Sequence, residues 1–162
     1  MKKSKIILIV SIIAVILGVV GLVWYLNTNS KSNESKTVAV ELSEVFESAI
    51  KKEKNIEKVA KKIAESDVIV PEVQTFDINK GDYLAGFKEE IKGYKKAVGI
   101  APMIGTIPMV AYVFEVKEPK DFVKTLEENA QLNWNICTEA DEMKITIVDN
   151  YVFFIMAPKS FE

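Results

Sequence analysis

From Ile6 to Leu26 the chain runs for 21 residues without a charge. As a helix rising about 1.5 Å per residue, such a run is about 31 Å long, the thickness of a bilayer's hydrocarbon core. In lipid only a helix or a closed barrel satisfies the backbone polar groups, so residues 6–26 read as a single transmembrane helix. Lys2, Lys3 and Lys5 precede the run, and Lys31 is the first charge after it. The positive-inside bias places residues 1–5 in the cytoplasm and the C-terminal part outside the cell membrane. Trp24 and Tyr25 fall where an outer aromatic belt lies. A cleaved signal peptide is the competing reading. Such peptides have a shorter apolar core and a small-x-small cleavage site, whereas Val23-Trp24-Tyr25-Leu26 is bulky, so a retained signal anchor is expected. Lipid attachment of the bacterial kind needs a cysteine directly after the apolar run, and the one cysteine is Cys137. Ala14 and Gly18 have the small-xxx-small spacing that lets two such helices pack as a homodimer, although ordinary glycine content also accounts for them.

Residues 27–39 begin NTNSKSNESKT, polar and aperiodic, and read as a flexible tether. Residues 40–162 are enough for one domain with its own core. All 21 basic residues are lysines, and there is no histidine. Three lysines precede the span, so the outer part carries 18 against 23 acids, a net charge of −5. That balance argues against a nucleic-acid partner, which requires a basic surface. A single cysteine rules out an internal disulfide.

The domain's periodicities predict an α+β fold. Leu42, Val45, Phe46, Ala49 and Ile50 share one helical face, and Ile56, Val59, Ala60, Ile63 and Ala64 repeat it. The KKEKN run between them has no apolar residue, so two helices are expected, with exposed i,i+4 pairs such as Glu57 with Lys61. Residues 72–78 form a plausible strand after Pro71. Phe87, Ile91, Tyr94 and Val98 follow helical spacing, interrupted by Gly86, Gly93 and Gly99, and predict a weak helix. MVAYVFEV (residues 109–116) predicts a strand, Pro119 opens a helix, and residues 143–148 and 151–156 form a hairpin about Asp149-Asn150. The expected domain is a mostly antiparallel sheet with its helices on one face and a C-terminal β-α-β-β order.

Without histidine the commonest general base is missing, and without arginine so are bidentate anion clamps. One cysteine cannot build a zinc site, and no glycine-rich phosphate loop is present. No cofactor is expected, and a non-enzymatic role is favoured. Three stretches stand out. VGIAPMIGTIPM (residues 98–109) is apolar yet rich in Gly and Pro. It reads either as a connection packed on the core or as a partner-binding surface carried by Pro102, Met103, Ile104, Ile107 and Pro108. NWNICTEADE (residues 133–142) offers an alternative, a redox or hard-cation site built from Trp134, Cys137, Glu139, Asp141 and Glu142. Its bland reading is a helix-to-strand connection with a buried Trp134 and a half-buried Cys137. The lysine-rich run of residues 51–62 suits either an anionic surface or a solvated helix face.

Three segments carry a resemblance: GFKEEIKGYKKAVGIAPMIGTIPMVAYVFEV (residues 86–116), WNICTEADEM (134–143) and YVFFIMAPKSFE (151–162). They resemble a family of uncharacterised membrane- or lipid-anchored extracytoplasmic proteins of low-GC Gram-positive bacteria. The resemblance implies an anchored outer domain in a bacterial envelope and brings no catalytic residue with it. The sequence thus points to a single-pass, extracytoplasmic binding or accessory protein, with a membrane or envelope protein as its expected partner.

Overall fold

The structure, a computed structural model, describes residues 36–161. The expected membrane span, its orientation, the dimerisation spacing and most of the tether lie outside these residues. Among the described residues no helix is long and apolar enough to cross a membrane.

Helices α1 (Val38–Lys52) and α2 (Ile56–Ala64) come first, then strands β1 (Val73–Ile78), β2 (Tyr94–Pro102) and β3 (Val110–Val116). Helix α3 (Pro119–Asn129) and strands β4 (Glu142–Val148) and β5 (Tyr151–Ala157) complete the domain. The sheet has the order β1-β2-β3-β5-β4, and every neighbouring pair is antiparallel. The α+β class, the two-helix start, the strand after Pro71 and the β-α-β-β end match the sequence reading.

The apolar run of α1 ends where KKEKN begins. Asn55 then caps α2, its side chain accepting a hydrogen bond from the Lys58 amide at 2.9 Å. The expected Glu57–Lys61 pair is not the one formed. Glu57 pairs with Lys96 on β2, and Lys61 with Glu65. The side-chain hydrogen bond from Lys96 holds the Glu57 carboxyl below its ordinary value and raises the Lys96 ammonium. Both groups are solvated, so the pair orients α2 on the sheet more than it stabilises it. The lysine-rich run is largely a solvated, paired face, with Lys51 on Glu47, Lys54 on Asp149 and Lys58 on Glu53.

Two expectations need correction. The helices do not share one face. Strands β3 and β5 are buried almost throughout. One face, with Ala111, Val113, Phe153 and Ile155, packs against α1 and α2, where Phe46 stacks on Phe153 at 5.2 Å. The other face, with Tyr112, Phe114, Phe154 and Met156, is covered by α3 and by an irregular segment holding Leu84, Phe87 and Ile91. The near-continuous apolar runs VAYVFEV and YVFFIMA are the mark of strands buried on both faces.

The second correction concerns residues 87–98. No helix forms there. Phe87 and Ile91 are buried anchors of irregular backbone, and β2 begins at Tyr94. Gly86 and Gly93 have φ of 88° and 99°, a left-handed conformation that breaks a helix but suits glycine. The helical spacing of four bulky residues was coincidental. Part of the predicted irregular stretch of residues 98–109 is accordingly strand.

Tyrosine hydroxyls fasten the irregular segment to the sheet. Tyr112 donates to the Ala85 carbonyl at 2.9 Å and Tyr94 to the Asn79 carbonyl at 3.2 Å. Burial pushes both phenols above the ordinary value of 10.0, aided by Tyr83 for Tyr112 and by Asp82 and Glu90 for Tyr94. Below that pH both phenols are neutral whether the chain is folded or not. Above it the unfolded chain ionises first, so stability falls as pH rises. Denaturant titrations across this range will show the loss, and Tyr112→Phe will flatten it. At neutral pH the same substitution leaves the half-buried Ala85 carbonyl without its donor and costs about 1 kcal/mol.

Candidate functional site

The two stretches singled out by sequence, far apart along the chain, meet in space. Loop 103–109 connects β2 to β3. Its first amide, of Met103, still donates to the Glu72 carbonyl at 2.9 Å, continuing the β1–β2 ladder. Beyond it, Ile107 N–H to Ile104 C=O (3.3 Å) and Met109 N–H to Ile107 C=O (2.8 Å) fold the segment into turns. Pro108 has no amide hydrogen to give, and Gly105 has no side chain, so strand pairing stops here.

The second loop runs from α3 to β4. Gln131 N–H donates to the Gly86 carbonyl at 2.8 Å and Ala140 N–H to the Leu132 carbonyl at 3.1 Å. Two side chains reach across to the first loop. Asn135 Nδ2 donates to the Gly105 carbonyl at 2.8 Å, and Thr138 Oγ1 to the Thr106 carbonyl at 2.8 Å. Both acceptors are backbone groups of a segment with no ladder partner, so these bonds tie the two loops into one element.

Between the loops and the irregular segment lies a cavity of about 200 Å³, lined by Phe76, Tyr83, Ile104, Ile107, Tyr112 and Trp134 among others. Trp134 is half-buried rather than buried, and its Nε1 is enclosed without an acceptor among the described residues. Phe76 lies across Gly99 on β2, where a Cβ would overlap its ring. A glycine beneath an edge aromatic is how a strand accepts a ring flat against its backbone.

Of the first set of candidates, Met103 and Ile104 are exposed, whereas Pro102, Ile107 and Pro108 are half-buried. Ile104 and Ile107 line the cavity, as does Pro102, and Ile107 also packs on the α1–α2 core. The alternative set separates. Cys137 is exposed, not half-buried, and Glu139 is exposed beside it. Asp141 Oδ2 accepts the Lys159 amide at 3.0 Å. Glu142 Oε1 accepts the Ala39 amide at 3.3 Å, placing a carboxylate at the positive start of α1. These two acids therefore serve backbone amides. Among the described residues no group of three His, Cys, Asp or Glu side chains is placed to hold a metal ion.

Sequence reasoning passed over Phe76 and Tyr83, which complete the cavity. The signal for Phe76 was Gly99 inside an apolar strand run, legible only once the β1–β2 register is known. It also passed over a larger open cleft of about 470 Å³ at the opposite end of the sheet, lined by Lys80, Lys92, Lys95 and Lys117. Lys92 pairs with Glu90 at 3.0 Å and Lys95 with Glu115 at 2.9 Å. The lining at the joined loops is mostly apolar, with Tyr83 and Tyr112 as its hydroxyl-bearing members.

Gly99→Ala forces the Phe76 ring off its strand and opens the cavity wall. NMR will show the Phe76 ring signals and the residue-99 Hα losing their mutual ring-current shift, and unchanged signals contradict the packing. Asn135→Ala removes two solvated hydrogen bonds, the one to the Gly105 carbonyl and the one accepted from the Cys137 amide, worth together about 1 kcal/mol. It speeds amide exchange at Ile107 with little change in global stability. Comparison with protein-family models, with curated proteins and with solved structures finds no match to this chain.

Proposed function

We propose that this protein is a single-pass membrane-anchored extracytoplasmic domain that binds an apolar component of the envelope through its joined loops, without catalysis. Residues 6–26 supply the anchor and the lysines before it set the orientation. The resemblance to anchored extracytoplasmic proteins of Gram-positive bacteria agrees with this reading. The observation that carries it is the union of loops 103–109 and 134–138 by the Asn135 and Thr138 side chains. Together they present Met103 and Ile104 to solvent above an apolar cavity. Exposed apolar clusters on a small domain mark contact surfaces rather than ordinary surface composition. The redox or metal alternative has no such support, since its carboxylates diverge onto separate backbone amides.

Cys137 is a built-in topology reporter, being the one cysteine and exposed. A membrane-impermeant maleimide added to intact cells will label it, and labelling only after lysis overturns the outward orientation. A photoreactive residue at position 104 in native membranes will form a discrete protein or lipid adduct that the same residue at position 124 does not. Equal yields at both positions, or none at either, overturn the binding role of the loops.

A further inference from the structure

We infer that the component met by the joined loops is the lipid leaflet beside the anchor, with Val70, Met103, Ile104 and Ile136 seated in its interfacial layer. This rests on the anchored, outward-facing reading given above.

The antiparallel sheet brings one set of ends together: the start of β1, the finish of β2, the start of β3, the start of β4 and the finish of β5. The domain's chain enters at this same end. The Val38 amide donates to the Lys159 carbonyl at 3.0 Å, and Ala39 meets Glu142 at the start of β4. The segment after β5, including Pro158 and Phe161, shares a cleft with Val70, Ile107 and Pro108. Entry point and joined loops therefore occupy one end of the domain.

That end also holds four of the most exposed large apolar side chains among the described residues. Val70 is 73% exposed, Met103 57%, Ile104 63% and Ile136 100%. They come from three separate segments, so no single local sequence accident gathers them. Only nine residues, 27–35, separate Leu26 from Lys36. Ten peptide steps of about 3.5 Å give the link a reach of at most about 35 Å. A short link of that kind supplies an effective concentration of about a millimolar, and modest apolar contacts then suffice for occupancy.

Charge decides how the contact is made. Asp67, Glu72, Glu139 and Asp141 are exposed on the same end and outnumber its exposed Lys36 and Lys159, of which Lys36 is already paired with Glu44, so anionic headgroups are not what attracts it. Apolar side chains entering the interfacial layer are. The lysine-lined cleft at the opposite end would suit anionic headgroups, but Lys92 and Lys95 are already paired there, and the chain does not enter at that end.

The test uses the full chain in vesicles of phosphatidylethanolamine and phosphatidylglycerol, with an environment-sensitive fluorophore on Cys137, next to Ile136. The expected result is co-flotation with the vesicles, blue-shifted emission, and quenching by lipid carrying a shallow spin label. The double variant Ile104→Asp with Ile136→Asp, changed at exposed positions, still floats but returns the emission to its aqueous wavelength. A chain that does not float overturns the anchor and this inference with it. A floating chain with aqueous emission overturns the lipid contact while leaving the anchor standing. A blue shift that survives the double variant also overturns it, because the named side chains then do not make the contact.

Discussion

The double-sided burial of β3 and β5 is the constraint from which the rest of the domain follows. Each of these strands is apolar at nearly every position, so neither face of the central sheet can be left to water. Helices α1 and α2 cover one face with a continuous apolar stripe. Among the described residues only one further helix follows, and α3 buries just Phe122 and Leu126. The remaining area of the second face is closed by irregular backbone, held through Phe87, which lies 4.6 Å from Phe154, and through the Tyr112 hydroxyl.

Covering a sheet with irregular backbone has a structural consequence. Peptide groups outside ladders and helices need other partners. Here side chains supply some of them: Asn135 and Thr138 for loop 103–109, and three tyrosine hydroxyls for the segment between β1 and β2. The joined loops are thus a product of how the second face is closed. Their apolar residues divide between those that finish the core, such as Ile107 and Met109, and those that face outward, such as Met103 and Ile104. An outward-facing apolar edge and a core seam are built from one segment, which ties the position of the exposed residues to the rigidity of the sheet.

Much of the fold was legible in the sequence because local and tertiary preferences agree. Asn55 marks the break between the two first helices, Pro119 starts α3, and Asp149, with φ of 54°, turns the final hairpin. Legibility failed where two signals shared residues. Phe87, Ile91, Tyr94 and Val98 mimic a helical stripe, yet Gly86 and Gly93 require a backbone that no helix allows. The continuous apolar character of β3 and β5 announced two covered faces, but α3 buries so few residues that its place on the second face was obscured. At the candidate site, the apolar loop and the Trp134 region were each visible, whereas their union was not. It depends on side-chain-to-backbone bonds across 30 and 32 residues, which no periodicity encodes.

The account makes the two loops one element that meets an apolar layer at the end where the domain's chain begins. Hydrogen exchange of the full chain in native membranes, comparing wild type with Ile104→Asp, tests this most directly. The prediction is that the amides of Met103 to Ile107 and of Asn135 to Thr138 are protected together in the wild type and lose that protection together in the variant. Indistinguishable exchange in the two proteins, or a change confined to one loop, would contradict it.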